Sequence, residues 1–246
     1  MPDATIIGYN NLLAGATADP VGAAVALIPS TAESYTDGTA TVTFTAAANF
    51  TADYIAVGAH NFGTTGKTIT IQYSTTTGGS FVNVFSGIPT SDNAIMQTFA
   101  SLSIRRVRIV IAGGSGNFRL GVVYSGAYIT MEQSIYGGHS PLTLSAQTDY
   151  QNNETDTGNW LSRSIVKRGL AGSFEFRHIT ASWYRSTFHP FVKSARTLPF
   201  FIKWRPTGYP LEAALCWTTG DIIPRNMGVR DFMEVTVPVR GYGDVQ

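Results

Sequence analysis

The chain has 246 residues with a formal net charge of +1, and only 13 % of its residues are charged. Those figures allow one large β domain or two ordinary ones, and they carry no global signal for nucleic acid or acidic membranes. The single cysteine, Cys216, excludes an internal disulfide framework and a cysteine-based zinc cluster, and a reducing cytoplasm is expected during synthesis.

Residues 1–38 carry turn chemistry and small residues, Asp37-Gly38 among them. The longest apolar run, Val21 to Ile28, is too short to cross a bilayer. It follows Asp19 without a basic flank, so it reads poorly as a signal peptide, and no membrane insertion is expected. Short alternating runs come next: TATVTFT, YIAVGAH, KTITIQYS, FVNVFSG, RRVRIVIAG and RLGVVYSGAYITM. Their period of two is that of half-buried strands, and the Gly-rich turns between them predict an antiparallel sandwich or jelly roll. GGSG at Gly113 to Gly116 has neither the lysine nor the following helix that a phosphate cradle needs, so it is read as a turn.

A boundary is predicted in MEQSIYGGHSP, giving domains 1–131 and 132–246. All four tryptophans lie beyond it. NWLSRSIVKRGL and SFEFRHIT are read as two strands joined tightly at Gly169 and Gly172, with Phe174, Phe176 and His178 on one face. Thr180 is the expected N-cap of a helix near 180–197 that Pro190 breaks. FFIKWRP, EAALCWTT and DFMEVTVPVRGY supply further strands. The predicted class is all-β and mainly antiparallel: an N-terminal jelly roll or β-sandwich, then a C-terminal β-sandwich or barrel with one flanking, Pro-broken helix.

Two resemblances follow from these strings. ADYIAVGAHNFGTTGKTITIQYSTTTGGSFVNV with RRVRIVIAGGSGNFRLGVVYSGAYITM resembles the galactose-binding-like (discoidin-type) jelly roll found in many phage virion proteins. NWLSRSIVKRGLAGSFEF, the stretch from WYRSTFHP to RPTGYP, and DFMEVTVPVRGY together resemble siphophage tail-tube and distal-tail proteins. In those proteins a β-sandwich flanked by a helix assembles into rings, although the order of the two domains here is reversed. The resemblances imply a non-enzymatic virion protein of the tail tip or baseplate, made in the host cytoplasm. Its expected partners are copies of itself in a homo-oligomeric ring and other phage tail proteins.

The candidate interface residues are Trp183, Arg185, Lys193, Arg196, Lys203, Trp204 and Arg205. Lys203 and Arg205 are expected to share a face opposite Trp204. A DNA-facing lumen is the competing reading of this basic set, but a near-neutral domain makes nucleic acid the weaker expectation. The alternative function is an adhesin that recognises host surface carbohydrate through the jelly roll. Its candidate loop residues are Tyr35, Asp37, His60, Asn61, Phe62 and Arg119. Aromatic residues at strand ends also serve as core plugs, and a module that only packs or decorates is the favoured reading of this half. The four histidines lack metal-ligand spacing, no GxSxG elbow occurs, and no cofactor is expected. Cys216, in AALCWTT, is read as a small buried hydrophobe.

Overall fold

A computed structural model describes residues 3–228 and 230–243. The chain is mostly antiparallel sheet, 51 % strand and 10 % helix. In chain order the strands are β1 (Ile6–Gly8), β2 (Thr17–Asp19), β3 (Tyr35–Asp37), β4 (Ala40–Gly58), β5 (Thr68–Ser74), β6 (Val82–Gly87), β7 (Ile95–Ala112) and β8 (Phe118–Leu120). They continue with β9 (Val122–Gly126), β10 (Ile129–Thr130), β11 (Ala146–Glu154), β12 (Trp160–Thr180), β13 (Phe200–Lys203), β14 (Ala213–Thr218), β15 (Arg225–Asn226) and β16 (Phe232–Tyr242). The longest helical stretch, α1, covers residues 181–195, and two short 3-10 helices lie at Val21–Leu27 and Leu142–Leu144.

The first sandwich is built on two long strands. β4 pairs with β7 from Ala40↔Ile111 to Val57↔Ile95, and residues 46–49 bulge out opposite Arg105. Both halves of β4 face one core, Val42 and Phe44 from the first and Ile55 and Val57 from the second. The bulge therefore folds the long ribbon over its own hydrophobic face. The run IMQTFASLS, outside the predicted strands, supplies the start of β7 and pairs with the second half of β4.

The second sheet runs β10-β1-β13-β14-β16-β12-β11, with β15 beside β16. Its strands cross the division predicted near residue 131. β1 and β10, both from the first 131 residues, form one edge, and Ile6–Gly8 pairs with Phe201–Lys203. The central strands are buried on both faces. Phe200, Ile202, Ala214 and Cys216 pack under α1 with Phe188, Phe191 and Val192. Phe201, Ala213 and Leu215 pack against Tyr54, Ala56, Val122 and Tyr124 of the sandwich. Gly58 lies where the two layers approach closely, and a Cβ there would meet the Leu215 side chain at 2.8 Å.

Four local expectations change. Gly169 and Gly172 do not turn the chain: β12 is continuous because β11 pairs with it up to Leu170 and β16 pairs with it from Leu170 onward. His178 does not share the face of Phe174 and Phe176. A register shift between Phe176 and Ile179, with His178 at φ 59°, turns His178 outward and buries Ile179 instead. Pro190 does not split the helix either. A π turn over Tyr184–Phe188 precedes it, widening the backbone where proline offers no N–H and crowds the preceding turn. Thr180 stands at the N-terminus of α1, but its hydroxyl bonds Glu132 Oε1 at 2.9 Å and makes no cap bond.

Candidate binding cleft and projecting ribbon

The predicted sugar-loop residues separate into two places. Tyr35 and Asp37 lie on β3, where the Tyr35 hydroxyl donates to Asp37 Oδ2 at 3.1 Å and the Tyr35 ring packs on Phe118. They pair beside Arg119 on β8 but do not line the cleft that the others form. His60, Asn61 and Arg119 do converge, in a cleft of about 330 Å³ between the sandwich loops and the second sheet. Thr64, Asp92, Arg168, Trp217 and Tyr242 also line it.

The cleft is held open by bonds between loops. Asn61 Oδ1 accepts from the Arg119 amide at 2.6 Å, and Asn61 Nδ2 donates to the Asn117 carbonyl at 3.2 Å. Asp92 accepts from the Thr64 amide at 2.9 Å and from its hydroxyl at 2.6 Å. Nearby, Gly114 is at φ 62° and a Cβ there would lie 2.2 Å from the Thr65 carbonyl oxygen, so the GGSG turn is also a contact between loops. Arg119 reaches across to the second sheet and donates to the Tyr242 hydroxyl at 2.7 Å.

His60 is only 2 % exposed and stacks on Phe62 at 4.5 Å. Burial lowers its pKa to about 4, against the upward pull of the Asp92 carboxylate and the Asn93 backbone. Its Nδ1 accepts from the Phe62 amide at 3.3 Å, so the proton of the neutral ring is on Nε2. That Nε2 makes no hydrogen bond of acceptable geometry within the protein, and neither does Arg119 Nε. Phe62 itself is a core plug, fully buried in the sandwich.

Trp217 is one of the cleft residues that the sequence reading passed over. Ala213 and Leu215 bury one face of β14 against the sandwich, and alternation places Trp217 on that same face. Trp217 lies past the sandwich edge, where it stays 37 % exposed and walls the cleft. Alternation in AALCWTT was the available signal. It had no meaning until the partner of that face was known.

The predicted interface residues also divide. Arg185, Lys193 and Arg196 lie on the exposed side of α1, where Arg185 donates to the Ala181 carbonyl at 2.9 Å. Trp183 is half-buried and stacks on Phe188 at 5.9 Å. Trp204 is half-buried, stacked on Tyr209 at 5.3 Å and bonded through Nε1 to Glu212. Arg205 is exposed and pairs with Asp3 at 2.9 Å. Lys203 is a correction. It is 3 % exposed, and its Nζ donates to the Met96 carbonyl at 3.0 Å inside the junction of the two layers. The expected Lys203/Arg205 face does not form because β13 ends at Lys203 and the chain bends at Trp204.

A second feature lies at the far edge of the same sheet. From Trp160 to Gly169, β12 has β11 as its partner and no β16. The two strands leave the sheet as a ribbon of roughly 30 Å at ~3.4 Å per residue. Trp160 is 64 % exposed and Val166 69 %, and Tyr150, Leu161 and Ile165 are also exposed. Cross-strand neighbours share a face, so Tyr150, Asn152, Arg163 and Ile165 lie on one side of the ribbon. Gln151, Asn153, Ser162 and Ser164 lie on the other. Arg163 donates to Asn152 at 2.8 Å and its guanidinium stands 4.5 Å over the Tyr150 ring.

Among the described residues no group of three or more His, Cys, Asp or Glu comes together as a metal site. Cys216 is fully buried and its thiol pKa is pushed well up by burial, which suppresses the nucleophilic thiolate. No helix among the described residues is long and apolar enough to cross a membrane.

The chain matches no family model and no curated protein. Among solved structures it is similar to the CBM32-1 module from a family 31 glycoside hydrolase of Clostridium perfringens. That likeness has 14 % identity and a TM-score of 0.40, and covers 48 % of this chain and 98 % of the module. It is also similar to chitosan-binding module 1 from the chitosanase/glucanase of Paenibacillus sp. IK-5, at 17 % identity and a TM-score of 0.39, covering 47 % and 98 %. A third is CpGH89CBM32-5 of Clostridium perfringens in complex with GalNAc-β-1,3-galactose, at 18 % identity and a TM-score of 0.39, covering 48 % and 100 %. No function is carried over from likenesses at these values.

Proposed function

We propose that this chain is a structural protein that assembles with copies of itself, and that it works in the virion of a tailed phage at the tail tip or baseplate. The observation behind the assembly is the projecting β11–β12 ribbon. An isolated two-stranded hairpin is at best marginally stable in water, and an exposed apolar strand pair invites association. Five large apolar side chains on a ribbon without a third strand are accounted for when neighbouring chains cover them. The virion setting rests on the resemblance of the second half to tail-tube and distal-tail proteins. Light scattering across a concentration series tests the assembly, with a discrete multiple of the single-chain mass expected. A chain that stays monomeric and is absent from imaged particles overturns the proposal.

A second reading has its own observation. The cleft sets the unpartnered Nε2–H of His60 beside Asp92, Arg119 and the exposed face of Trp217. An aromatic wall with convergent donors and acceptors suits a sugar ring, and this supports glycan recognition by an assembled protein. A glycan array followed by titration calorimetry checks it. Trp217→Ala should lose binding by tenfold or more with the thermal transition unchanged, and no binding of any glycan at millimolar concentration removes this reading.

A further inference from the structure

Trp217 belongs to two cavities. One is the cleft of about 330 Å³ that holds His60, Asn61 and Arg119. The other, of about 410 Å³, opens between residues 29–31 and residues 195–199, where the chain leaves α1. Among the described residues Trp217 is the one that lines both. Each cavity has the volume of a small-ligand site, roughly 300–1,000 Å³. Both are partly polar, and Ser30, Thr31 and Thr197 line the second.

Positive charge prevails on each side of the tryptophan. In the cleft Arg119 and Arg168 stand against one carboxylate, Asp92. Both oxygens of Asp92 already accept from Thr64, at 2.9 and 2.6 Å. Arg119 gives one N–H to the Tyr242 hydroxyl, and its Nε has no partner in the protein. In the second cavity Arg196 is exposed, and no carboxylate among the described residues lines it.

We propose that the two cavities are subsites for one acidic oligosaccharide, a chain of uronic acid units laid across Trp217. The inference rests on the glycan reading above and specifies which glycan the cleft takes. The exposed part of Trp217 supplies the shared aromatic wall, and the arginines on each side supply forked donors that match a carboxylate. A single sugar fills one cavity and meets the charge of that side alone. A chain meets both, and its second contact is intramolecular once the first has formed, so affinity climbs with length until both cavities are filled. A neutral chain of equal length gains the stacking without the charge-assisted bonds.

Titration calorimetry on the full chain tests this with galacturonic acid, with oligogalacturonates of increasing length, and with neutral galacto-oligosaccharides for comparison. Affinity along the acidic series should rise by about tenfold or more and then level off, and it should weaken with salt. Arg196→Gln changes an exposed side chain of the second cavity only. It should keep the wild-type thermal transition and the binding of galacturonic acid while losing most of the gain with length. A flat affinity along the acidic series, or an Arg196→Gln variant with the full gain, overturns the two-subsite chain while glycan recognition stands. Neutral glycans that bind as tightly as acidic ones, or that alone bind, do the same. No binding of either series or of any arrayed glycan overturns both readings together.

Discussion

The second sheet has two ends with the same kind of residues and opposite fates. At β13 and β14, phenylalanine, leucine and alanine point to both faces and are covered by α1 on one side and the sandwich on the other. At β11 and the start of β12, tyrosine, tryptophan, leucine, isoleucine and valine also occupy a sheet, but among the described residues they stay exposed, with only Arg163 lying over the Tyr150 ring. Apolar content alone therefore does not say where a core is. The first region stabilises the fold, and the second is left exposed to solvent.

The sharpest way to break that contrast is to truncate one side chain in each region. Phe201→Ala opens a cavity at the junction of the layers and should cost about 3–5 kcal/mol in denaturant unfolding, with assembly unchanged per folded molecule. Val166→Ser on the ribbon should leave unfolding within about 0.5 kcal/mol of wild type while weakening assembly. Equal losses of stability from both would remove the distinction.

His60 gives a somewhat smaller effect that depends on pH. Its folded pKa, about 4, lies below the 6.5 of an ordinary histidine. Between those values the unfolded chain binds the proton and the folded chain does not, so stability falls as pH drops from about 6.5 towards 4. The loss approaches ~3 kcal/mol at ~1.4 kcal/mol per pH unit. Carboxylates also titrate in this range, so the measurement is the difference between wild type and His60→Gln. That difference should change with pH in this window and be flat above pH 7. A flat difference throughout would place His60 outside the buried wall of the cleft.

The smallest effect belongs to the Arg205–Asp3 pair, whose arginine is exposed. Arg205→Ala should cost little stability, and less still at high salt, because water screens the guanidinium. A larger loss would mean that Arg205 belongs to the buried junction rather than to the surface.

The alternating strings set the all-β class, and β5 and the later half of β7 stand where TITIQYS and RRVRIVIA put them, because period two has one structural meaning when turns bracket it. The helical stretch near 180–197 was likewise written in local chemistry. Other features needed the third dimension. YIAVGAH reads as a half-buried strand, yet both of its faces are buried. Tyr54 and Ala56 are covered because the second sheet packs there, through Ile6 of β1 and Phe201, Ala213 and Leu215 of β13 and β14. Lys203 shows the same effect in reverse: its charge argued for a surface, but the register of β13 carried it into the junction.

The site was legible only in part. His60, Asn61 and Arg119 were found as loop chemistry, while Asp92, Trp217 and Tyr242 came from segments that topology alone brings to the same cleft. What the sequence determined by itself was local: the strand period, the turns, the helix and its proline, and the absence of disulfide chemistry. Only the tertiary structure decided which faces found partners, since burial belongs to a pair of surfaces and a strand carries only one of them. The ribbon is the face for which the described residues supply no second surface.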